Sequence, residues 1–273
     1  MKRILVPCDF SKPAEEAFKF AVMIAERSGG EIHVLNVVDI TAVGSVPSIA
    51  DSYVFNLDFL KERELEVEAK FKDMLSRNAA WFPRVVFKHV VSSLEAEIKD
   101  YIKRQEVDLI VMGTRGNAGA FFGSNTQRVV RHATVPVIGI HTAPEKIEQI
   151  VFPIGSDVID DALVAEVKKL QELFDATLHL LHINTPMLLR PDHLVLKDLQ
   201  QLATRHHLHY YRLSVRADFN VESGIARYAR DVDAQLIAMG THAWKGLLRL
   251  VLGSVTEDVV NDLSLPVWSY AMK

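Results

Sequence analysis

At 273 residues, with 49% apolar and 24% charged side chains, the chain is long enough to bury two cores and has the make-up of a folded globular protein. A net charge of -4 gives no general attraction for nucleic acid, and no run reaches the ~18 apolar residues of a membrane span, so neither nucleic acid nor membrane is an expected partner. Cys8 is the single cysteine, which excludes an intrachain disulfide, and the opening residues turn polar at Asp9 too soon for a secretory segment; both suit the cytoplasm.

Residues 2–7 are a short apolar run ending at Pro7 and read as a first strand. Ser11 then caps a helix with Pro13 in its first turn, and Ala17, Phe18, Ala21, Val22, Ile24 and Ala25 recur at helical spacing as far as Gly29 and Gly30. Ser28-Gly29-Gly30 resembles the start of a pyrophosphatase-type loop, but its place at a helix end favours a C-cap. Residues 31–38 read as a second strand and 39–56 as a loop. Leu60, Glu64, Val67, Phe71 and Met74 then mark a long amphipathic helix. A third strand follows at 84–90, a helix capped by Ser93 runs through Ile102, and 107–112 form an apolar fourth strand. After a glycine-rich stretch, 127–131 read as a helix and 135–140 as a fifth strand. Strands alternating with helices in this way imply a parallel sheet.

The pattern then repeats. A polar linker at 141–146 leads to residues 147–153, which copy the opening strand down to its proline. Helices are expected at 157–174, 192–206 and around 224–229, and strands at 177–183, 209–215, 234–239 and 265–270. Residues 111–115 (VMGTR) match 238–242 (AMGTH), 123–126 (GSNT) match 253–256 (GSVT), and 134–137 (TVPV) match 264–267 (SLPV). The chain therefore reads as two tandem α/β domains, 1–143 and 144–273. Each is a doubly wound, five-stranded parallel sheet of Rossmann-like type.

In such a sheet with strand order 3-2-1-4-5, ligands sit beyond the carboxyl ends of strands one and four, where the order reverses. Strand one ends at Pro7, Cys8 and Asp9, strand two near Val37, and strand four runs into Gly113. Gly113, Gly116 and Gly123 are expected to take φ > 0 and let the backbone approach a ligand, while Ser124, Asn125 and Thr126 open a helix whose free N–H groups suit an anion. Asp9 is placed either as an acceptor for the amine or ribose hydroxyls of a nucleoside or as an acid favoured at a helix start. No Gly-x4-Gly-Lys-Ser/Thr is present, which excludes a P-loop.

On these residues the whole chain resembles a tandem member of the universal stress protein family. The nucleotide-binding branch of that family carries Gly-x2-Gly-x9-Gly-Ser/Thr after strand four and an Asp at the end of strand one. The first half has Asp9, Gly113, Gly116, Gly123 and Ser124, but residues 117–122 make the second spacer three shorter. The second half keeps the full spacer with Gly240, Gly253 and Ser254, yet has Ala243 for the second glycine and Gly155 for the Asp.

The resemblance implies a fold of the adenine nucleotide alpha hydrolase type and, as cofactor, ATP or another adenine nucleotide, with or without magnesium. The implied first-domain site is Pro7, Cys8, Asp9, Val37, Gly113, Arg115, Gly116, Gly123, Ser124, Asn125 and Thr126. Gly240, Gly253, Ser254, Val255 and Thr256 form a weaker second one. Losing the carboxylate there removes a charge-assisted hydrogen bond of ~1.5–3 kcal/mol. Fifth strands pair between subunits in the family, which implies an intramolecular pseudo-dimer here, with room for a homodimer and an unidentified protein partner. The function so implied is a stress sensor or regulator with at most slow ATP hydrolysis; the alternative is a nucleotide-independent scaffold.

Three further features carry two readings each. His179, His182, His193, His206, His207, His209 and His242 are either a zinc cluster or scattered surface and capping residues, and the odd separation of the first two puts them on opposite faces of a strand. Cys8 is either a redox-sensitive thiol or a small core residue. The apolar stretch with Trp244, Leu247, Leu248, Leu250, Val251 and Leu252 is either a docked lid or a surface for a partner or lipid-like ligand.

Overall fold

The computed structural model describes residues 1–39, 57–78, 84–114, 124–155, 160–240 and 265–270. The first half runs β1 (Arg3–Pro7), α1 (Lys12–Ser28), β2 (Glu31–Asp39), α2 (Leu57–Asn78), β3 (Val85–Ser92), α3 (Leu94–Gln105), β4 (Leu109–Gly113), α4 (Ser124–His132) and β5 (Val137–Ile140). The second runs β6 (Gln149–Pro153), α5 (Asp161–Phe174), β7 (Thr177–Asn184), α6 (Asp192–Arg205), β8 (Tyr211–Ala217), α7 (Val221–Asp231), β9 (Leu236–Gly240) and β10 (Val267–Tyr270). The strands form one sheet in the order β3-β2-β1-β4-β5-β10-β9-β6-β7-β8. Within each half neighbours are parallel and the order is 3-2-1-4-5.

Both faces of this sheet are covered, as the continuous apolar runs require. Ile4, Val6, Ile32 and Val34 pack with Phe18 and Ile24 of α1, Met74 of α2, Val164 and Leu170 of α5 and Leu199 of α6. The alternate residues Leu5, Leu35 and Ile110 pack on the other face with Ile98 of α3, Val129 of α4 and Ile225 of α7. Helix ends follow local chemistry. The Ser11 side chain accepts from the amide of Ala14 at the start of α1, and Gly29, at φ 65°, ends that helix with its N–H on the Ala25 carbonyl. The helix expected from residue 157 begins at Asp161 behind an Asp160 cap, with 156–159 outside the described residues. The strand expected at 209–215 is shifted to Tyr211–Ala217, because the left-handed backbones of His207 (φ 51°) and Tyr210 (φ 47°) turn the chain before pairing starts at Tyr211 opposite Leu178.

The halves join through β5 and β10, which pair antiparallel with Trp268 opposite Ile138. Ser269 Oγ donates to the Val137 carbonyl at 3.0 Å across this seam, and Trp268 is completely buried in it. Phe20 of α1 stacks on Phe174 of α5, with the Arg27 guanidinium over the same ring, so the contact continues in the helical layer.

A buried pair recurs in both halves. In the first, Glu31 Oε1 can only accept, so His33 donates to it from Nε2 (3.0 Å) and receives the Tyr101 hydroxyl on Nδ1 (2.9 Å). That hydrogen bond from His33 is the main cause holding the Glu31 carboxyl below its ordinary range. In the second, His179 Nε2 faces Gln149 Oε1 at 2.7 Å and Nδ1 faces the Tyr228 hydroxyl at 2.8 Å, with no carboxylate in the chain of bonds. Burial, and then the charge of Arg212, lower the pKa of His179 from 6.5. Between that lowered value and 6.5 the unfolded chain binds more protons here than the folded one. The stability this residue supplies is therefore whole above pH 6.5 and is lost as pH falls through the folded value. Urea midpoints measured at pH 7.5 and pH 5.5 should differ more for the wild type than for His179→Gln; equal differences would rule out His179 as a source of the acid sensitivity.

Candidate functional site

The order reverses between β1 and β4, which pair through Ile4 with Leu109 and Leu5 with Ile110. Beyond their carboxyl ends lies a crevice of about 220 Å³ lined by Pro7, Cys8, Asp9, Ser11, Pro13, Ala14, Leu35, Val37, Leu94, Met112, Gly113, Thr114, Asn125 and Thr126. Pro7, Cys8, Asp9, Val37, Gly113, Asn125 and Thr126 of the expected set thus meet at one opening, although Asp9 and Asn125 are more than a hundred residues apart. Ser124 is the first residue of α4. Arg115, Gly116 and Gly123, and in the second half Gly253, Ser254, Val255 and Thr256, lie outside the described residues, as do His242 and the apolar stretch around Trp244. Gly240 is the buried last residue of β9.

The walls have a clear chemical division. Leu35, Val37, Leu94 and Met112 supply an apolar side, while Asp9, Ser11, Thr114, Asn125 and Thr126 supply polar groups. The amino end of α4 is pinned at the opening, since Thr126 Oγ1 donates to the carbonyl of Gly113 at 3.1 Å. Thr114 continues the β4–β5 ladder by donating its amide to the Ile140 carbonyl at 2.8 Å. An apolar slot, one carboxylate and a helix N-terminus suit a flat ring, a hydroxyl or amine donor and an anion respectively.

Asp9 is exposed and serves the turn with one oxygen: Oδ1 accepts the Ser11 amide at 3.0 Å. Its other oxygen has no hydrogen bond among the described residues. Phe10, which follows, sits at φ 61°, a left-handed conformation costing a non-glycine residue about 1–3 kcal/mol. Its ring lies 6.4 Å from that of Phe87, which stacks on Phe71 at 4.2 Å. Cys8 is a core residue: its Sγ lies 3.8 Å from Met74 Sδ, and burial pushes the thiol up to about 12, so the reactive thiolate is not populated near neutral pH.

Gly113 corrects an expectation. Among the described residues only Gly29 is a glycine at positive φ, so Gly113 is not there to reach the left-handed region. A Cβ at this position would lie 2.5 Å from the Pro13 carbonyl carbon and 2.8 Å from the Ala14 amide. The close approach is to the first turn of α1, and it lets the helix seat against the end of β4.

Asn36 and Thr114 were not singled out from the sequence. Asn36 Nδ2 donates to the Cys8 carbonyl at 2.7 Å and its Oδ1 faces His89 Nδ1 at 2.7 Å. The available signal was an amide flanked by the apolar residues Val34, Leu35, Val37 and Val38 of β2. Burial is the first cause lowering the pKa of His89.

In the second half Ile154 and Gly155 stand where Cys8 and Asp9 stand in the first, since the Ile154 amide bonds the Leu181 carbonyl as Cys8 bonds Leu35. Among the described residues nothing lies within 4 Å of a Cβ built on Gly155, where the acid would project. The second-half histidines have separate tasks: His182 Nδ1 bonds the Ile154 carbonyl, and His206 pairs with Asp161. Among the described residues no group of three or more His, Cys, Asp or Glu is placed to hold a metal ion. A larger depression, about 960 Å³, opens at the opposite ends of the first-half strands. Several of its charged groups are engaged with one another, Arg3 with Glu31 (3.1 Å) and Glu106 (3.0 Å) and Asp108 with the Lys2 and Arg3 amides, and it lacks the apolar side of the smaller crevice.

The universal stress protein family matches residues 1–141 and again 146–270. A universal stress protein of Synechocystis sp. is 24% identical over 291 aligned residues, taking in 99% of this chain and 100% of that protein. One of Methanocaldococcus jannaschii is 31% identical over 140 residues, covering 50% of this chain and 80% of the relative. Among solved structures, a universal stress protein from Archaeoglobus fulgidus has a TM-score of 0.72 at 17% identity over 98% of this chain and 96% of that one, a likeness of fold.

Gly113→Ala should destabilise the protein by about 1–3 kcal/mol, because the added methyl meets backbone that cannot turn away. Gly155→Ala, placed in open space, should cost far less. Denaturant midpoints of the two variants compare them directly, and equal losses would refute the packing role of Gly113.

Proposed function

This chain belongs to the universal stress protein family, and we propose that its first half binds an adenine nucleotide in the crevice between β1 and β4 and acts as a sensor or regulator through its occupancy. The observation that carries this reading is the meeting of three unlike features at one opening: the Asp9 carboxylate, the apolar side formed by Leu35, Val37, Leu94 and Met112, and the amino end of α4. Asp9 suits a ribose hydroxyl or an adenine amine, the apolar side suits the base, and α4 with Asn125, Thr126 and the residues before it suits the phosphates.

Asp9 is the one carboxylate among the described lining residues, so magnesium accompanying the nucleotide would be held chiefly by phosphate oxygens and water. We assign the crevice binding rather than catalysis. The domains proposed as 1–143 and 144–273 would then differ in role. Gly155 deprives the second of the acid, and for that half the scaffold reading is favoured.

Titration calorimetry with Mg-ATP, ADP and AMP tests the assignment. Asp9→Ala should weaken binding by about tenfold to over a hundredfold, the range of a charged hydrogen bond, and Asn125→Ala by less. Gly155→Asp should add affinity in the second half. Nucleotide binding unchanged by both Asp9→Ala and Asn125→Ala would overturn the first-half site.

A further inference from the structure

The nucleotide reading names Asp9 as the acceptor but leaves open what keeps a carboxylate on an exposed, strained turn where a ligand can use it. The β1–β2 ladder ends when the Cys8 amide donates to the Leu35 carbonyl. One atom further, the Cys8 carbonyl has no strand to pair with, because the chain departs toward α1. Asn36 takes over there, donating from Nδ2 at 2.7 Å. Because the peptide group is planar, fixing this carbonyl also fixes the Asp9 amide and hence the direction in which Asp9 leaves the strand.

Asn36 is itself locked. It is 7% exposed, and its Oδ1, which can only accept, faces His89 Nδ1 at 2.7 Å; the proton of His89 therefore sits on Nδ1. With both ends of the amide engaged, a flip would break two bonds. On the far side of Asp9, the Phe10 amide donates to Cys8 Sγ at 3.4 Å and the Ser11 amide to Asp9 Oδ1 at 3.0 Å, while Phe87 and Phe71 support the Phe10 ring.

The second half separates fold from function in this arrangement. His182 occupies the place of Asn36 and bonds the Ile154 carbonyl from Nδ1 at 2.9 Å, so the first link is common to both halves. Opposite His182, however, stands Val215 where Asn36 has His89, and His182 Nε2 is buried without a partner among the described residues. The second link occurs in the half that has the acid and is missing from the half that has Gly155.

We propose that Asn36, locked by His89, is a positioning residue that holds the Asp9–Phe10 turn in the geometry that accepts the nucleotide, a role that rests on the nucleotide reading above. Full-length Asn36→Leu should bind Mg-ATP about tenfold more weakly than wild type, as loss of one buried hydrogen bond implies. The Ser11 amide proton, which reports the turn without any nucleotide, should exchange with solvent several-fold faster. Asn36→His should recover most of the affinity, since an imidazole Nδ1 does this work in the second half. His89→Leu, which keeps Asn36, should show a smaller loss of the same kind and serves in its place if Asn36→Leu does not fold.

Wild-type affinity and wild-type Ser11 exchange in Asn36→Leu, or in His89→Leu where that replaces it, would overturn the proposal. So would an affinity loss that Asn36→His does not relieve. If the wild type binds no adenine nucleotide, the nucleotide reading fails and the positioning role falls with it. Unchanged binding in Asp9→Ala beside a loss in Asn36→Leu would instead refute Asp9 as the acceptor that Asn36 positions.

Discussion

The antiparallel pairing of β5 with β10 is the contact on which the rest of the architecture depends. A five-stranded half ending at β5 would expose an apolar edge, with Val137, Ile138 and Ile140 on a strand whose outer hydrogen-bonding groups had no partner. Pairing the two fifth strands removes both edges and makes one continuous sheet with a core on each face. It also fixes the direction of everything else. Because the ladder is antiparallel, the carboxyl ends of the first-half strands open at one side of the sheet and those of the second half at the other. The two switch points are therefore separate sites, and neither half can complete the crevice of its partner.

Duplication within one chain works as an internal comparison. Features found in both halves belong to the fold: the tyrosine-bound histidines His33 and His179, the amide that closes the β1–β2 or β6–β7 ladder, and the side chain that caps the next carbonyl. Features that differ concentrate at the mouth of the crevice. Asp9 becomes Gly155 and His89 becomes Val215. Divergence at the carboxyl ends of the strands with constancy beneath them fits a scaffold retained in both halves, with the proposed site in one.

Much of this was legible in the sequence, because strand, helix and cap signals are local. Short apolar runs gave the strands, Ser11 and Gly29 the ends of α1, and the repeated Gly-Thr and Pro-Val segments the duplication itself. What escaped depends on contacts between distant residues. A glycine after a strand serves equally for positive φ or for close approach, and only the position of Pro13, a hundred residues earlier in the chain, shows that Gly113 is the second case. The role of Asn36 depends on Cys8 and His89, which lie far from it in the sequence and on either side of it in the fold. The edge of β8 moved because two left-handed residues, His207 and Tyr210, reset the chain in a way that residue type does not announce.

The energies at the Asp9 turn bear on how occupancy could be sensed. A left-handed Phe10 stores about 1–3 kcal/mol, and a ligand present at a hundred times its dissociation constant stabilises the state it binds by about 2.7 kcal/mol. The two are of one size. On the proposed reading, a bound nucleotide would decide whether the turn keeps its strained form without threatening the fold, whose seam and two cores lie elsewhere. A ligand shifts only equilibria in which it distinguishes the states, and the group that would distinguish them is Asp9, between Cys8 and Phe10. The aromatic contacts from Phe10 to Phe87 and on to Phe71 lead from that turn to β3 and α2. A change at Asp9 would therefore reach α2, on the outside of the same half, by this aromatic route.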